Sequence, residues 1–248
     1  MKLLLINASP KKKGGASRFF TGFLRLFLPG VQQETVSLRG RPDFETVLAH
    51  MKDSDGVCLS FPLYVDGLPA HVVEFLTLAE PYCREHHCRF RLYALANNGF
   101  VEGRQNSPAL GILEAWCQRA GVTWSGGIGV GGGVMLRVLA MVYPILLALT
   151  VLQLVLSGFS QEPDLSGLLV SLLLQGGTWL FLNAGLLLAL VRLSAAIRGG
   201  KSLPNFYTRV MLPAVLFLPV ASIFMALSSL FHGRFLPALF GKDRWNGS

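Results

Sequence analysis

Residues 57–69 read VCLSFPLYVDGLP. Val57, Cys58 and Leu59 make a short continuous apolar run, the pattern of a strand covered on both faces. The chain leaves that strand through Pro62, Tyr64, Asp66, Gly67 and Pro69, a loop stiffer and more polar than a plain turn requires. A strand hidden on both faces needs helices above and below it, so alternation is the pattern to look for on either side. Upstream, residues 3–6 (LLLI) form a similar run. Ser17 then opens a helical pattern with Phe20, Phe23, Leu24 and Phe27 on one side, ended by Pro29-Gly30. Glu34–Leu38 fits a second strand and Phe44–Met51 a second helix. The third strand, Gly56–Phe61, precedes a helix with Val72, Val73, Leu76 and Ala79 inward. Phe90–Ala96 reads as the fourth strand, Ser107-Pro108 as a helix start, Gly121 as its stop, and Val122 to about Val130 as the fifth strand. The expected fold is α/β, with a five-stranded doubly wound parallel sheet.

In such a sheet, ligands lie beyond the carboxyl ends of the strands, near the point where strand order reverses. The segments leaving strands one, three and four are unusual, and the fold brings them to one edge. The first, residues 7–17, carries hydroxyls at Ser9 and Ser17, the pair Gly14-Gly15 and a helix N-terminus, a combination suited to a phosphate. No acidic residue occurs before Glu34, whereas Lys2, Lys11, Lys12, Lys13, Arg18 and Arg25 do. The lysine triplet is also of a kind that lies against acidic lipid headgroups. The second loop offers the flat ring of Tyr64 beside backbone stiffened by Pro62 and Pro69, and the third offers Asn97, Asn98 and Gly99-Phe100. A phosphate pocket next to two heterocycle-binding loops describes a site for flavin mononucleotide (FMN).

The second half has a different composition. Of the 248 residues 52% are hydrophobic and 15% charged, and the excess is concentrated in three charge-free runs, Val138–Gly158, Leu165–Val191 and Val210–Phe231. Each exceeds the ~18–20 residues that cross a bilayer as helix. Transmembrane helices are therefore expected after the sheet. The net charge of +8 is shared between the halves, and the cations of the second half flank the apolar runs: Arg137 before the first, and Arg192, Arg198, Lys201 and Arg209 between the second and third. The loop between the first two runs holds only Glu162 and Asp164. The positive-inside rule puts that loop outside and the N-terminal domain in the cytoplasm, as part of a multi-pass protein of the cell membrane. Pro213 and Pro219 leave open whether the third run crosses or turns back. The apolar start is too short for a signal peptide, and this charge distribution does not suit nucleic acid.

Three stretches carry a family resemblance: Ile6-Asn7-Ala8-Ser9-Pro10-Lys11, Phe61 to Pro69, and Gly99 to Asn106 with Trp124 and the glycine-rich residues 126–133. In this order they resemble the flavodoxin-like NAD(P)H-dependent FMN reductases, over slightly more than half the chain. The resemblance implies phosphate contacts from Ser9, Lys11 and Ser17, ring contacts from Pro62, Leu63, Tyr64 and Val65, and ring or ribityl contacts from Asn98, Gly99 and Phe100. It implies NADH or NADPH as co-substrate. The domains expected are an FMN-binding unit, 1–133, and a membrane region, 134–248, with two to three hydrophobic helices and a short basic tail; Leu203 to Tyr207 looks like a remnant of the family's tail. Expected partners are membrane lipid and a small-molecule or quinone electron acceptor, with a homodimer left open. The alternative is a non-catalytic membrane protein that uses a degenerate flavodoxin-like domain as a binding or assembly module.

Other signals carry less. Gly127-Ile128-Gly129-Val130-Gly131-Gly132 matches a dinucleotide fingerprint only in letters, because it follows the last strand and no acidic residue stands about 20 positions on. Cys83-Arg84-Glu85-His86-His87-Cys88 is too crowded to wrap one tetrahedral ion, and no second pair completes a finger. No metal and no catalytic side chain are assigned, since a flavin carries its own chemistry.

Overall fold

The computed structural model describes residues 1–11, 15–64, 67–158 and 165–231. The elements follow in the order β1 (Lys2–Asn7), α1 (Ala16–Leu26), β2 (Gln32–Ser37), α2 (Phe44–Lys52), β3 (Gly56–Pro62), α3 (Ala70–Glu85), β4 (Arg91–Asn97), α4 (Ser107–Ala120) and β5 (Thr123–Gly131). Then come α5 (Gly133–Gly158), α6 (Leu165–Arg198), β6 (Phe206–Arg209) and α7 (Ala214–Phe231). All strand pairings are parallel, and the sheet order is β2-β1-β3-β4-β5-β6. The α/β parallel sheet is as expected, but it has six strands rather than five. The extra strand pairs Phe206–Arg209 with Ile128–Gly131. It escapes a sequence reading because it is four residues long and stands between two apolar helices.

Alternate residues of the strands feed two cores. Leu4, Ile6, Val57, Leu59, Leu92 and Ala94 pack under α2, α3 and α4, where the buried Trp116 indole donates to the Leu76 carbonyl (2.8 Å) and ties α4 to α3. Leu3, Leu5, Tyr93, Leu95, Ile128 and Val130 pack on the other face under α1 and the C-terminal half of α6, through Leu186, Leu190, Leu193 and Ile197. Helix α6 thus covers the sheet beside α1. Val73, expected inward, is 48% exposed on α3, while Val72, Leu76 and Ala79 are buried. Helix α4 starts at Ser107 with Pro108 in its first turn and ends at Gly121, whose φ of 74° is the left-handed stop that glycine favours.

The expectation of two to three membrane-crossing helices needs revision. Among the described residues one helix, Ser166–Arg198, is long and apolar enough to cross a membrane, and Val142–Leu156 and Val215–Phe224 are shorter apolar stretches. Pro144 and Pro219 sit inside α5 and α7. The C-terminal end of the expected second span meets protein instead of lipid, since α6 is buried on the sheet beyond about residue 186 and exposes Leu169, Leu173, Leu174, Leu180 and Phe181 before it. An apolar helix face reads the same in either surrounding.

Polar contacts fix how α6 and β6 meet the sheet. The Tyr93 hydroxyl donates to the Lys201 carbonyl (2.9 Å), and the Leu203 amide to the Ser125 carbonyl (3.1 Å). At the other end, the Met211 amide donates to the Leu182 carbonyl (2.9 Å). Helix α6 therefore runs antiparallel to the strands, and everything before about Leu182 projects past their carboxyl ends. Removing the Tyr93 hydroxyl strands a part-buried carbonyl, so Tyr93→Phe is expected to cost about 1 kcal/mol, read as a lowered melting temperature with the fold unchanged.

Candidate functional site

A cleft of about 250 Å³ lies at the carboxyl edge, lined by Ser9, Lys11, Gly15, Ala16, Pro62, Leu63, Tyr64, Asn97, Asn98, Gly99 and Gly133. It falls where strand order reverses between β1 and β3, so the loops after those strands diverge and leave a crevice.

One end is built for an anion. Helix α1 begins with Gly15 as its N-cap, no side chain caps it, and no acidic residue stands in its first turn. Its first amides thus have no carbonyl within the helix and carry the positive end of the helix dipole. Ser9 is buried, its amide donates to Asn7 Oδ1 (3.2 Å), and its Oγ accepts the Lys11 amide (3.4 Å), which leaves the hydroxyl proton for another acceptor. The His71 ring N–H donates to the Ala8 carbonyl (3.1 Å) and holds this loop against α3. A Cβ on Gly15 would stand 2.5 Å from Ser9 Oγ, so the glycine is what allows loop and helix to close on one another.

The wall opposite is apolar and flat. Leu63 extends the sheet, its amide donating to the Asn97 carbonyl (2.7 Å), and Tyr64 and Gly67 exchange both backbone hydrogen bonds (3.1 Å each) as an antiparallel bridge. That bridge holds the Tyr64 ring at the rim, 44% exposed, free to stack on a planar ligand.

The third wall is shaped by its asparagines. Asn98 Oδ1 accepts the Phe100 amide (3.1 Å) and its Nδ2 donates to the Glu102 carbonyl (3.0 Å), so this side chain folds its own loop. Asn97 Nδ2 donates to Ser17 Oγ (3.0 Å) and to the Phe61 carbonyl (3.0 Å). The Gly133 amide donates to the Asn98 carbonyl (2.8 Å), and a Cβ there would come within 2.9 Å of that oxygen. Glycine at 133 lets α5 start in the wall of the cleft.

Of the residues expected to bind, Ser9, Lys11, Pro62, Leu63, Tyr64, Asn98 and Gly99 line the cleft together. Ser17 is 1% exposed and lies behind the lining with its Oγ engaged by Asn97, and Phe100 stands outside the lining, 49% exposed. Val65 lies outside the described residues. Gly15 and Asn97, noted in the sequence as features of their loops, line the cleft too, as do Gly133 of the glycine-rich stretch and Ala16, which carried no sequence signal. The cysteines take no part. Cys58 and Cys117 are core residues whose thiols burial pushes up to about 12, so they stay protonated and unreactive at neutral pH.

The residues present fit a phosphorylated planar ligand such as FMN: hydroxyl, cation and uncapped amides at one end, and stacking surface and close backbone at the other.

No protein-family model and no curated protein sequence matches the chain. Among solved structures it is similar to a Trp repressor binding protein from Bacillus subtilis (15% identity, 51% of this chain and 85% of that one, TM-score 0.43). It is similar also to an azoreductase from Bacillus anthracis (13% identity, 57% and 91%, TM-score 0.43) and to an NAD(P)H:quinone oxidoreductase from Methanothermobacter marburgensis (15% identity, 53% and 84%, TM-score 0.43).

Proposed function

We propose that the protein is a membrane-anchored flavoprotein oxidoreductase that takes electrons from NADH or NADPH through FMN to an acceptor dissolved in the bilayer, of the quinone class. The observation that carries this reading is that the cleft and the apolar helices share one edge of the sheet. Helix α5 starts at Gly133 in the cleft wall, α6 passes that edge at Leu182, and α7 starts just after Met211, which is bonded to Leu182. The exposed arms of α5 and α6 hold together through the Tyr143–Trp179 ring pair (6.4 Å) and the Gln175 Nε2 donation to Thr150 Oγ1 (2.7 Å). At 1.5 Å per residue, α7 and the part of α6 before Leu182 are each roughly 25 Å long, close to the ~30 Å of a hydrocarbon layer. Arg192, Arg198, Lys201 and Arg209 lie toward the sheet, which favours a cytoplasmic sheet domain.

When bound, FMN supplies the hydride and one-electron chemistry of its ring. This chain's residues bind and orient it. Ser9, Lys11 and the first amides of α1 hold the phosphate, while Pro62, Leu63 and Tyr64 flank the ring and keep water from one face. An acceptor approaching along α5 reaches the Asn98–Gly133 wall without leaving the membrane surface.

The test is colour. Detergent-purified protein is expected to be yellow, to bleach with NADH or NADPH, and to reduce a quinone carried in liposomes. Reduction of water-soluble acceptors alone would remove the quinone, and a colourless preparation that takes up no added FMN would leave the non-catalytic binding module. Tyr64→Ala removes a stacking contact of about 1 kcal/mol and is expected to weaken FMN binding by roughly fivefold to tenfold without changing the fold, measured by flavin fluorescence titration.

A further inference from the structure

A second hollow, about 300 Å³, lies between α1 and the edge strand β2, lined by Asn7, Arg18, Thr21, Gly22, Arg25, Thr35, Ser37 and Arg39. Its composition is unexpected for the place. On this side of the sheet β1 presents Leu3 and Leu5 to the helices, whereas β2 presents Gln33, Thr35 and Ser37. Helix α1 answers with Arg18, Thr21, Gly22 and Arg25, and a Cβ on Gly22 would meet nothing within 4 Å. A helix seated on its edge strand would ordinarily close such a gap with apolar side chains. This one keeps it open and lines it with hydroxyls, an amide and guanidinium groups.

The charge is equally one-sided. No carboxylate lines the hollow, and among the described residues Arg18, Arg25 and Arg39 form no ion pair. Arg39 Nη2 reaches Ser37 Oγ (3.3 Å), and the nearby Asp43 carboxylate is engaged by the Arg39 backbone amide (2.7 Å). Two of the polar lining residues are fixed and nearly buried. Asn7 is 7% exposed and accepts the Ser9 amide, and Thr21 is 4% exposed and donates to the Ser17 carbonyl (2.8 Å). Cations held around one gap without a counter-ion repel one another, and a multiply charged anion with several acceptor oxygens relieves that repulsion through charge-assisted, forked hydrogen bonds.

We propose that this groove is a second anion site, distinct from the flavin cleft, that binds a phosphate or pyrophosphate group through Arg18, Arg25 and Arg39. The same chemistry is offered by a soluble phosphorylated metabolite and by the headgroup of an anionic lipid. The second source is within reach because Arg18 and Arg39 stand toward the carboxyl edge from which the apolar helices leave. Asn7 joins the groove to the flavin-phosphate loop, since one side chain lines the first and accepts the Ser9 amide of the second.

The test uses the full chain with FMN in excess, so that the flavin-phosphate cradle is not available to the probe. Inorganic pyrophosphate is titrated by calorimetry, and in a parallel arm the protein is placed in phosphatidylcholine nanodiscs with and without phosphatidic acid and its melting temperature read. The double variant R18Q/R25Q is expected to lose pyrophosphate affinity on the order of tenfold or more, or to lose a stabilisation specific to phosphatidic acid, while R89Q/R198Q, with the same charge change, keeps both. An effect with pyrophosphate assigns a soluble ligand, and an effect with phosphatidic acid alone assigns lipid. Equal responses of R18Q/R25Q and the unaltered chain, or no saturable response to either probe, overturn the proposal. Flavin content is expected to be unchanged in R18Q/R25Q, and the arginine dependence is readable whether or not FMN binds, so failure here and failure of the flavoprotein reading are separate results.

Discussion

A chain ended after Gly133 is expected not to fold, with or without FMN. Such a chain has β1 to β5 and α1 to α4, and it holds every residue that lines the cleft. It lacks the cover over one face of its own sheet. Leu3, Leu5, Tyr93, Leu95, Ile128 and Val130 pack there against Leu186, Leu190, Leu193 and Ile197, all 3% exposed or less in the full chain. Burying each such side chain contributes about 2 kcal/mol, so the four together are comparable with the roughly 5–15 kcal/mol by which a whole domain is stable. Losing β6 also leaves β5 as an edge strand paired only with β4, and leaves the Tyr93 hydroxyl and the Ser125 carbonyl without their bonds to Lys201 and Leu203. Circular dichroism is expected to show no cooperative melting for the truncated chain. Cooperative melting with FMN bound would mean that the cover by α6 and β6 is dispensable. In the full chain, Leu193→Asp tests the same contact with one carboxylate in the core and is expected to cost about 4 kcal/mol or more.

That dependence marks how far the sequence could be read. Strands β1, β3 and β4 were legible because a strand buried on both faces has no polar alternation to confuse it, and the loops after them stood out by composition. The cleft followed from topology, since the carboxyl ends of parallel strands meet at one edge wherever the exact boundaries fall. Three things were not legible. Strand β6 is too short to signal itself. Helix α6 is free of charge from Leu165 to Val191, and hydropathy does not distinguish Leu173, which faces outward, from Leu190, which is buried against the sheet. The asparagines looked like ligand-binding amides, whereas the bonds of Asn98 to Phe100 and Glu102 and of Asn97 to Ser17 and Phe61 are set by loop paths that no spacing rule encodes. The glycines were visible as a cluster, and their reasons differ from one to the next. Gly126, with φ at 97°, lies against the Leu203 carbonyl, whereas Gly133 clears the Asn98 carbonyl at the mouth of the cleft.

Gly15→Val is expected to abolish FMN retention while leaving the fold intact, the largest effect that one substitution in the cleft should have. The backbone at Gly15 has φ −78° and ψ 141°, a conformation that any residue adopts, so no backbone strain opposes the change. The obstacle is local. The new Cβ would stand 2.5 Å from Ser9 Oγ and 3.2 Å from Ser9 Cβ, and valine adds two methyl groups where the loop closes on the helix. Ser9 must turn away, which costs its hydroxyl contact, and the methyl groups cover the first amides of α1. Hydrogen bonds to a charged group contribute about 1.5–3 kcal/mol each, so losing two predicts a fall in affinity of roughly a hundredfold or more. Gly22→Ala is the matched control on the same helix: its Cβ meets nothing within 4 Å, so the flavin should stay bound and the helix should gain up to ~1 kcal/mol. Flavin absorbance after gel filtration reads both variants. Retained colour in Gly15→Val would move the phosphate away from the α1 N-terminus, and equal loss in both variants would trace the effect to helix α1 as a whole instead of the anion cradle.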